Sequence, residues 1–214
     1  LVEQQIDLSG LDMLFVGAEP VRPNSLRRFY ERFSNYGLHP NTLYPVYGLA
    51  EATLIVTSPA HGEPIVTHTV DGIEVPSVGR PLGDLVVRVV REDGSDCDTG
   101  ETGELWLQGA SVSEGYLDTE ANEELFQDGW LRTGDVGVLD AHGYLKLTDR
   151  TKDLIKSGGE WISSVDLENA IMGHTAVQEA AVIAVPHPKW AERPLAVVVP
   201  KPGHSVDAAA LREF

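Results

Sequence analysis

Cysteine is all but missing from this sequence. Cys97 stands alone among 214 residues, so no internal disulfide can form and a reducing compartment, the cytoplasm, is favoured. Positive charge is also scarce, with 16 Lys and Arg against 33 Asp and Glu, a formal net charge of -17. That balance lacks the basic face that nucleic acids and anionic membranes require, but leaves room for a phosphate held by a few local cations. No apolar run approaches the roughly 20 residues of a transmembrane segment. None of the seven histidines pairs with another ligand at metal-site spacing, and no Gly-x-Ser-x-Gly elbow occurs. The acids around Cys97 (Asp93, Asp96, Asp98) should raise its thiol pKa, which argues against a nucleophile and for an exposed turn cysteine.

What remains is an ordinary globular composition, 42% hydrophobic and 23% charged. The run ending at Val16 reads as a buried strand. Leu26, Phe29, Tyr30 and Phe33 have helical spacing, with Gly37 as the stop, and Leu43 to Tyr47 reads as a second strand. Strand, helix, strand predicts a parallel crossover, whose ligand sites lie beyond the strands' carboxyl ends, at Gly17-Ala18-Glu19-Pro20 and Gly48-Leu49-Ala50-Glu51. From Ile65 to Leu147, strand-like runs alternate with Asp/Gly turns, predicting a small antiparallel sheet or barrel with one helix near Thr119 to Phe126. Beyond Arg150 the pattern predicts a hairpin at Gly158-Gly159. A helix started by Ser163 and Asp166, two β-rich runs and a last helix capped by Ser205 follow. The fold class is therefore α/β plus α+β, with domains expected at 1–150 and 151–214. Leu1 and the tail Leu211-Arg212-Glu213-Phe214, inside a helical pattern, lead us to expect a fragment.

Several residues have the chemistry of a nucleotide and thioester site. Asp135, in the turn Thr133-Gly134-Asp135, can accept from two adjacent ribose hydroxyls, or can be satisfied by local N–H groups. Arg150, Lys152 and Lys156 share one face if the segment is a strand, suited to a phosphate or simply solvated. Gly158 and Gly159 fit a hairpin or the passage of a narrow ligand. Glu51 can hold Mg²⁺ and Tyr47 can stack on a base, or the pair is a buried aromatic followed by a helix-start glutamate.

Tyr47-Gly48-Leu49-Ala50-Glu51, Thr133-Gly134-Asp135 and Asp149-Arg150-Thr151-Lys152-Asp153 to Ile162 together resemble the adenylate-forming (AMP-binding) superfamily. Gly79-Arg80-Pro81-Leu82 and Gly100-Glu101-Thr102-Gly103 lie between them, and the resemblance covers nearly the whole chain. It implies the end of a large adenylating domain, an α/β sheet unit with a small barrel-like subdomain, followed by a truncated C-terminal α+β domain. Gly17, Ala18, Glu19 and Pro20 would line the adenine pocket, Tyr47 would stack on adenine beside Gly48, and Glu51 would help hold Mg²⁺. Asp135 and Arg150 would bind the ribose, Lys152 would be the hinge, Lys156 would approach the phosphate or carboxylate, and Gly158 and Gly159 would border the pantetheine of CoA. No catalytic residue is assigned within the span. The reaction implied is acid plus ATP to acyl-AMP, then a thioester with CoA.

Ala50 stands where the family often has Thr, removing one phosphate-facing hydroxyl. The family's phosphate loop and late lysine are absent, so the span by itself is expected to be inactive. Val16 to Arg22 and Tyr47 to Leu54 look like fatty-acyl-AMP ligases, which serve an acyl carrier protein. Ile155 to Ser164 and Val185 to Trp190 look like medium- or long-chain acyl-CoA synthetases. Because the C-terminal part shapes the thiol's path, a fatty-acid-type CoA ligase is the expectation. A carrier-protein ligase and a non-catalytic nucleotide-binding module are the alternatives.

Overall fold

In the computed structural model, which describes residues 6–70, 73–117, 119–158 and 160–214, the run before Gly17 forms strand β1 (Leu14–Val16), but not the buried strand expected: Leu14 and Val16 are half-buried and Phe15 is exposed. Pro23 then starts helix α1 (Pro23–Phe33), where the missing proline N–H costs nothing. A 3₁₀ turn follows the helix, and Gly37, at φ 87°, closes it by donating to the Ser34 carbonyl at 3.0 Å. Strand β2 (Leu43–Pro45) returns parallel to β1 with Leu14 opposite Leu43, as the crossover pattern requires. Both carboxyl ends therefore open toward the turns at Gly17 and Gly48.

Two short pairings follow. β3 (Thr57–Ser58) pairs with β6 (Arg80–Pro81), and β4 (Thr67–Val70) with β5 (Ile73–Pro76). The expected antiparallel sheet is built from β7 (Val86–Val90), β8 (Gly103–Gln108), β10 (Trp130–Leu139) and β11 (Leu145–Arg150), in the order β11-β10-β8-β7. Helix α2 (Thr119–Leu125) leads into β9 (Phe126–Gln127), which pairs with β10. Alternation on β8 buries Leu105 and Leu107 completely, and with Val56, Val87, Val89, Leu131, Leu145 and Tyr47 they form the core. Cys97 is part of that packing rather than an exposed turn residue. Its sulfur rests against this core and lies 3.7 Å from the Thr102 carbonyl. Burial first, and then the Glu101 carboxylate, push its thiol pKa up.

The chain divides into two compact units, Leu1–Leu147 and Thr148–Phe214. In the second, β12 (Ile155–Ser157) and β13 (Glu160–Ile162) form the expected hairpin, with Ser157 opposite Glu160. The long hairpin of β14 (Val177–His187) and β15 (Ala191–Pro200) completes a sheet in the order β13-β12-β15-β14. Ser163 caps helix α3 (Ser164–Met172) by accepting from the Asp166 N–H at 3.1 Å, as the spacing predicts. Ser205 does not cap the last helix, α4 (Ala208–Glu213). Asp207 does, since its carboxylate reaches two amides, Ala209 and Ala210, at 3.0 Å each. Among the described residues, no helix is long and apolar enough to cross a membrane.

Two expectations follow from this packing. Gly79 sits at φ 84°, and an added Cβ would lie 1.9 Å from the Ser58 carbonyl carbon, which is backbone and cannot swing aside. Gly79→Ala should cost about 2–4 kcal/mol in urea unfolding, from strain plus overpacking. The loop after β7 is closed by Arg91, whose Nε donates to Glu101 Oε1 at 2.7 Å. Arg91 first, and the Asp98 N–H second, hold the Glu101 carboxyl below its ordinary value of 4.5. A carboxyl with a lowered folded pKa stabilises above its unfolded value and loses that contribution as pH falls through the folded one. The melting temperature should therefore decline below about pH 4.5, and Glu101→Gln should remove part of that decline.

Candidate functional site

Asp135 is placed by a bulge, not by the expected turn. Across β10 and β8, Arg132 faces Trp106 and Val136 faces Glu104. Thr133, Gly134 and Asp135 thus stand against Leu105 alone. Gly134 takes φ 70°, with nothing within 4 Å of an added Cβ, so the backbone angle is what requires glycine there. Thr133 closes the bulge: its hydroxyl donates to the Leu105 carbonyl at 2.8 Å and accepts the Asp135 N–H at 3.0 Å. Bulges of this kind re-aim a side chain out of a ladder, and here they leave the half-buried Asp135 carboxylate meeting a residue far away in sequence.

That residue is Tyr47, whose hydroxyl donates to Asp135 Oδ2 at 2.7 Å. The Tyr47 ring is only 6% exposed and packs in the core with Ala52, Val56 and Leu105. The ring is walled in, and its phenol end is the part that reaches the carboxylate. The neighbouring Gly48 is dictated by space, since a Cβ there would lie 1.6 Å from the Leu54 carbonyl oxygen. The loop doubles back so sharply that Thr53 and Leu54 take φ 57° and 99°, left-handed values that cost strain in residues other than glycine.

Inside that loop, Glu51 lies on a 3₁₀ turn, Ala50–Ala52. Its Oε1 accepts from the Tyr116 hydroxyl, a partner that pattern reading did not single out. The Glu51 bond first, and burial second, push the Tyr116 phenol up to about 12. Among the described residues, no group of three or more His, Cys, Asp or Glu could hold a metal. A lone carboxylate fits Mg²⁺ only when substrate phosphates and water supply most of the oxygens, which is how Mg²⁺ is commonly bound.

The turn after β1 borders a different hollow. Gly17 is needed because a Cβ would lie 2.7 Å from the Val46 carbonyl oxygen, and Ala18 takes φ 67°. Gly17, Glu19 and Pro20 line an open cleft of about 570 Å³ together with Phe15 and Phe29; Ala18, Tyr47, Gly48 and Asp135 are not among its lining residues.

In the second unit, Arg150, Lys152 and Lys156 do not share a strand face. β11 ends at Arg150, Lys152 lies in a turn whose Asp153 and Leu154 amides donate to the Arg150 carbonyl, and Lys156 is on β12. The turn forms because Leu154 and Ile155 are both buried, which breaks the period of two. The Arg150 N–H meets Asp149 Oδ1 at 2.8 Å, and the Lys156 ammonium lies 5.5 Å from the centre of the Trp161 ring. Gly158 takes φ 64°, donates to the Trp190 carbonyl at 3.0 Å, and would bring an added Cβ within 2.9 Å of the Trp190 ring. Its bareness is thus used by an indole far along the chain. Gly159 lies outside the described residues.

The Tyr47–Asp135 bond joins a neutral donor to a carboxylate, so Tyr47→Phe should cost about 1.5–3 kcal/mol in chemical unfolding. Combined with Asp135→Asn, the double-mutant cycle should return a coupling of about 1 kcal/mol, whereas additive effects would mean the bond contributes nothing.

The AMP-binding enzyme family matches residues 2–117, and the AMP-binding enzyme C-terminal domain matches residues 166–214. A long-chain-fatty-acid–CoA ligase of Thermus thermophilus is 43% identical over 201 residues, 91% of this chain and 36% of the relative. A 3-methylmercaptopropionyl-CoA ligase of Ruegeria lacuscaerulensis is 38% identical over 214 residues, 97% of this chain and 38% of the relative. The structure of ATP-bound MatB from Rhodopseudomonas palustris superposes with a TM-score of 0.75 at 31% identity, covering 93% of this chain and 37% of that one. The chain thus spans under two fifths of the length of these relatives. With a family match over more than half its residues, the chain belongs to the AMP-binding enzyme family.

Proposed function

We propose that the protein carrying this chain is an acid–thiol ligase that activates a carboxylic acid, a fatty acid by preference, with ATP and passes it to CoA. The observation that carries the reading is the Asp135 carboxylate, lifted from its strand by a bulge and gripped on one oxygen by Tyr47. A carboxylate fixed in this way can accept from the two adjacent hydroxyls of a ribose. The CoA ligases to which the chain is similar support the acceptor, and the ATP-bound structure supports the nucleotide. The two relatives are named for different acids, so the fatty-acid preference rests on the resemblance in the C-terminal motifs.

In this reading the substrate carboxylate attacks the α-phosphorus of ATP, forming acyl-AMP and releasing pyrophosphate. The CoA thiolate then attacks the acyl carbon and AMP leaves. Asp135 holds the ribose with Arg150 assisting. Gly17, Ala18, Glu19, Pro20 and Gly48 are assigned to the base by the resemblance alone, and the Tyr47 ring, walled in by the core, is not open to stack on it. Lys156 meets the phosphate or the carboxylate, and Gly158 and Gly159 border the pantetheine. Glu51 would hold Mg²⁺ together with the substrate phosphates, and the ion would supply charge neutralisation for the leaving pyrophosphate. Lys152 keeps the hinge role, in a turn held by backbone bonds to Arg150. The cytoplasm is the setting that the single Cys97 favours.

Supplied with ATP, Mg²⁺, a fatty acid and CoA, the intact protein should release AMP only when CoA is present. Asp135→Ala should lower kcat/KM at least about a hundredfold, from the loss of charge-assisted bonds to the nucleotide. Acyl-AMP that reacts only with a phosphopantetheinylated carrier protein would replace CoA as the acceptor, and full activity in Asp135→Ala would remove the ribose role.

A further inference from the structure

The segment between β8 and α2 is tied to the Glu51 loop at three points. The Thr53 hydroxyl donates to the Ser111 carbonyl at 2.7 Å, the Ser113 N–H donates to the Glu51 carbonyl at 2.7 Å, and the Tyr116 hydroxyl donates to Glu51 Oε1. Two of these bonds hold the loop, one through the Thr53 side chain and one through the Glu51 carbonyl. The third fixes the carboxylate itself. The donor is also held from behind. The Asn122 side chain accepts the Tyr116 N–H at 2.7 Å and donates to the Tyr116 carbonyl at 2.8 Å. Gly115, at φ 145°, has no Cβ because one would lie 2.8 Å from Asn122 Nδ2. The Tyr116 ring packs edge-on against Phe126, with centroids 6.2 Å apart. Helix α2 therefore grips the backbone of a tyrosine whose hydroxyl reaches a glutamate 65 residues earlier.

We propose that Tyr116 is the positioning residue for the Glu51 carboxylate, holding Oε1 so that Oε2 faces a metal–phosphate ligand in one orientation, and that Asn122 acts through Tyr116. This rests on the reading of Glu51 as the carboxylate that shares Mg²⁺ with the nucleotide. A glutamate has several rotatable bonds and loses their freedom when it is fixed. On a strained surface loop, nothing in the 3₁₀ turn itself would fix its side chain. A phenol anchored through its own backbone does so before the ligand arrives, which is what preorganisation of a site by supporting residues requires.

The test is a titration of Mn²⁺, read by electron paramagnetic resonance, into the intact protein with saturating ATP. Tyr116→Phe should weaken Mn²⁺ binding about tenfold, the loss expected when a bond to a charged group goes. Asn122→Ala should weaken it by a smaller factor. Tyr144→Phe, which deletes a phenol bonded to a different glutamate, Glu63, should leave the isotherm unchanged. In turnover, the Mg²⁺ concentration for half-saturation should rise in Tyr116→Phe while kcat at saturating Mg²⁺ holds. Thermal melting of each variant checks the fold, and Asn122→Ala provides the comparison if Tyr116→Phe melts early. A wild-type Mn²⁺ isotherm in Tyr116→Phe overturns the proposal. Glu51→Gln, run in parallel, says at which level. If it loses Mn²⁺, the role of Glu51 stands and only the positioning by Tyr116 fails. If it binds like the wild type, the reading of Glu51 fails and the proposal with it.

Discussion

The hydrogen bond from Tyr47 to Asp135 is the constraint on which the first unit's candidate site depends. Tyr47 belongs to two systems at once. Its ring is a core side chain among Val56, Leu105 and Leu131, and its hydroxyl is the partner of a carboxylate on a bulged strand. Packing fixes the ring, and through the ring it fixes the acid. The bulge that lifts Asp135 is closed in turn by Thr133 against the Leu105 carbonyl, so a completely buried strand residue also sets the position of the acid.

The same logic recurs wherever the chain turns tightly. Gly48 and Gly79 are glycines because backbone occupies the space a side chain would need, and Gly17 is glycine because the Val46 carbonyl crosses behind it. The strain of Thr53 and Leu54 is held by bonds from both sides, with Val56 donating to the Tyr47 carbonyl and Thr53 donating to Ser111. In the second unit the corresponding glycine, Gly158, is filled by an indole rather than by backbone. Gly17, Gly48, Gly79, Gly134 and Gly158 thus each have a local packing or conformational cause, independent of any ligand, and any use made of a ligand is added to that cause.

Much of this was legible in the residues. Apolar runs ending in glycine marked β1 and β2, the spacing of Leu26, Phe29, Tyr30 and Phe33 marked α1, and the Ser163–Asp166 interval marked the start of α3. These are local signals, set by a handful of neighbours. What was not legible depends on contacts distant in sequence. Thr133-Gly134-Asp135 reads as a turn in isolation and becomes a bulge only because β8 runs beside it. Arg150, Lys152 and Lys156 share a face only on an unbroken strand, and the burial of both Leu154 and Ile155 breaks it. Tyr116 has no motif linking it to Glu51, and its signal, a glycine before it and an asparagine six residues after it, acquires meaning only once α2 folds back. The acids beside Cys97 point to solvent, yet its side chain packs against the core.

A ribose held by the Asp135 carboxylate is most directly tested by comparing the affinity of the intact protein for ATP, 2′-deoxy-ATP and 3′-deoxy-ATP in the wild type and in Asp135→Asn. If Asp135 accepts from both hydroxyls, each deoxy analogue should bind the wild type about tenfold more weakly or worse, and Asp135→Asn should lose most of that discrimination. Undiminished discrimination in Asp135→Asn would contradict the assignment and leave the Tyr47–Asp135 pair a structural bond alone.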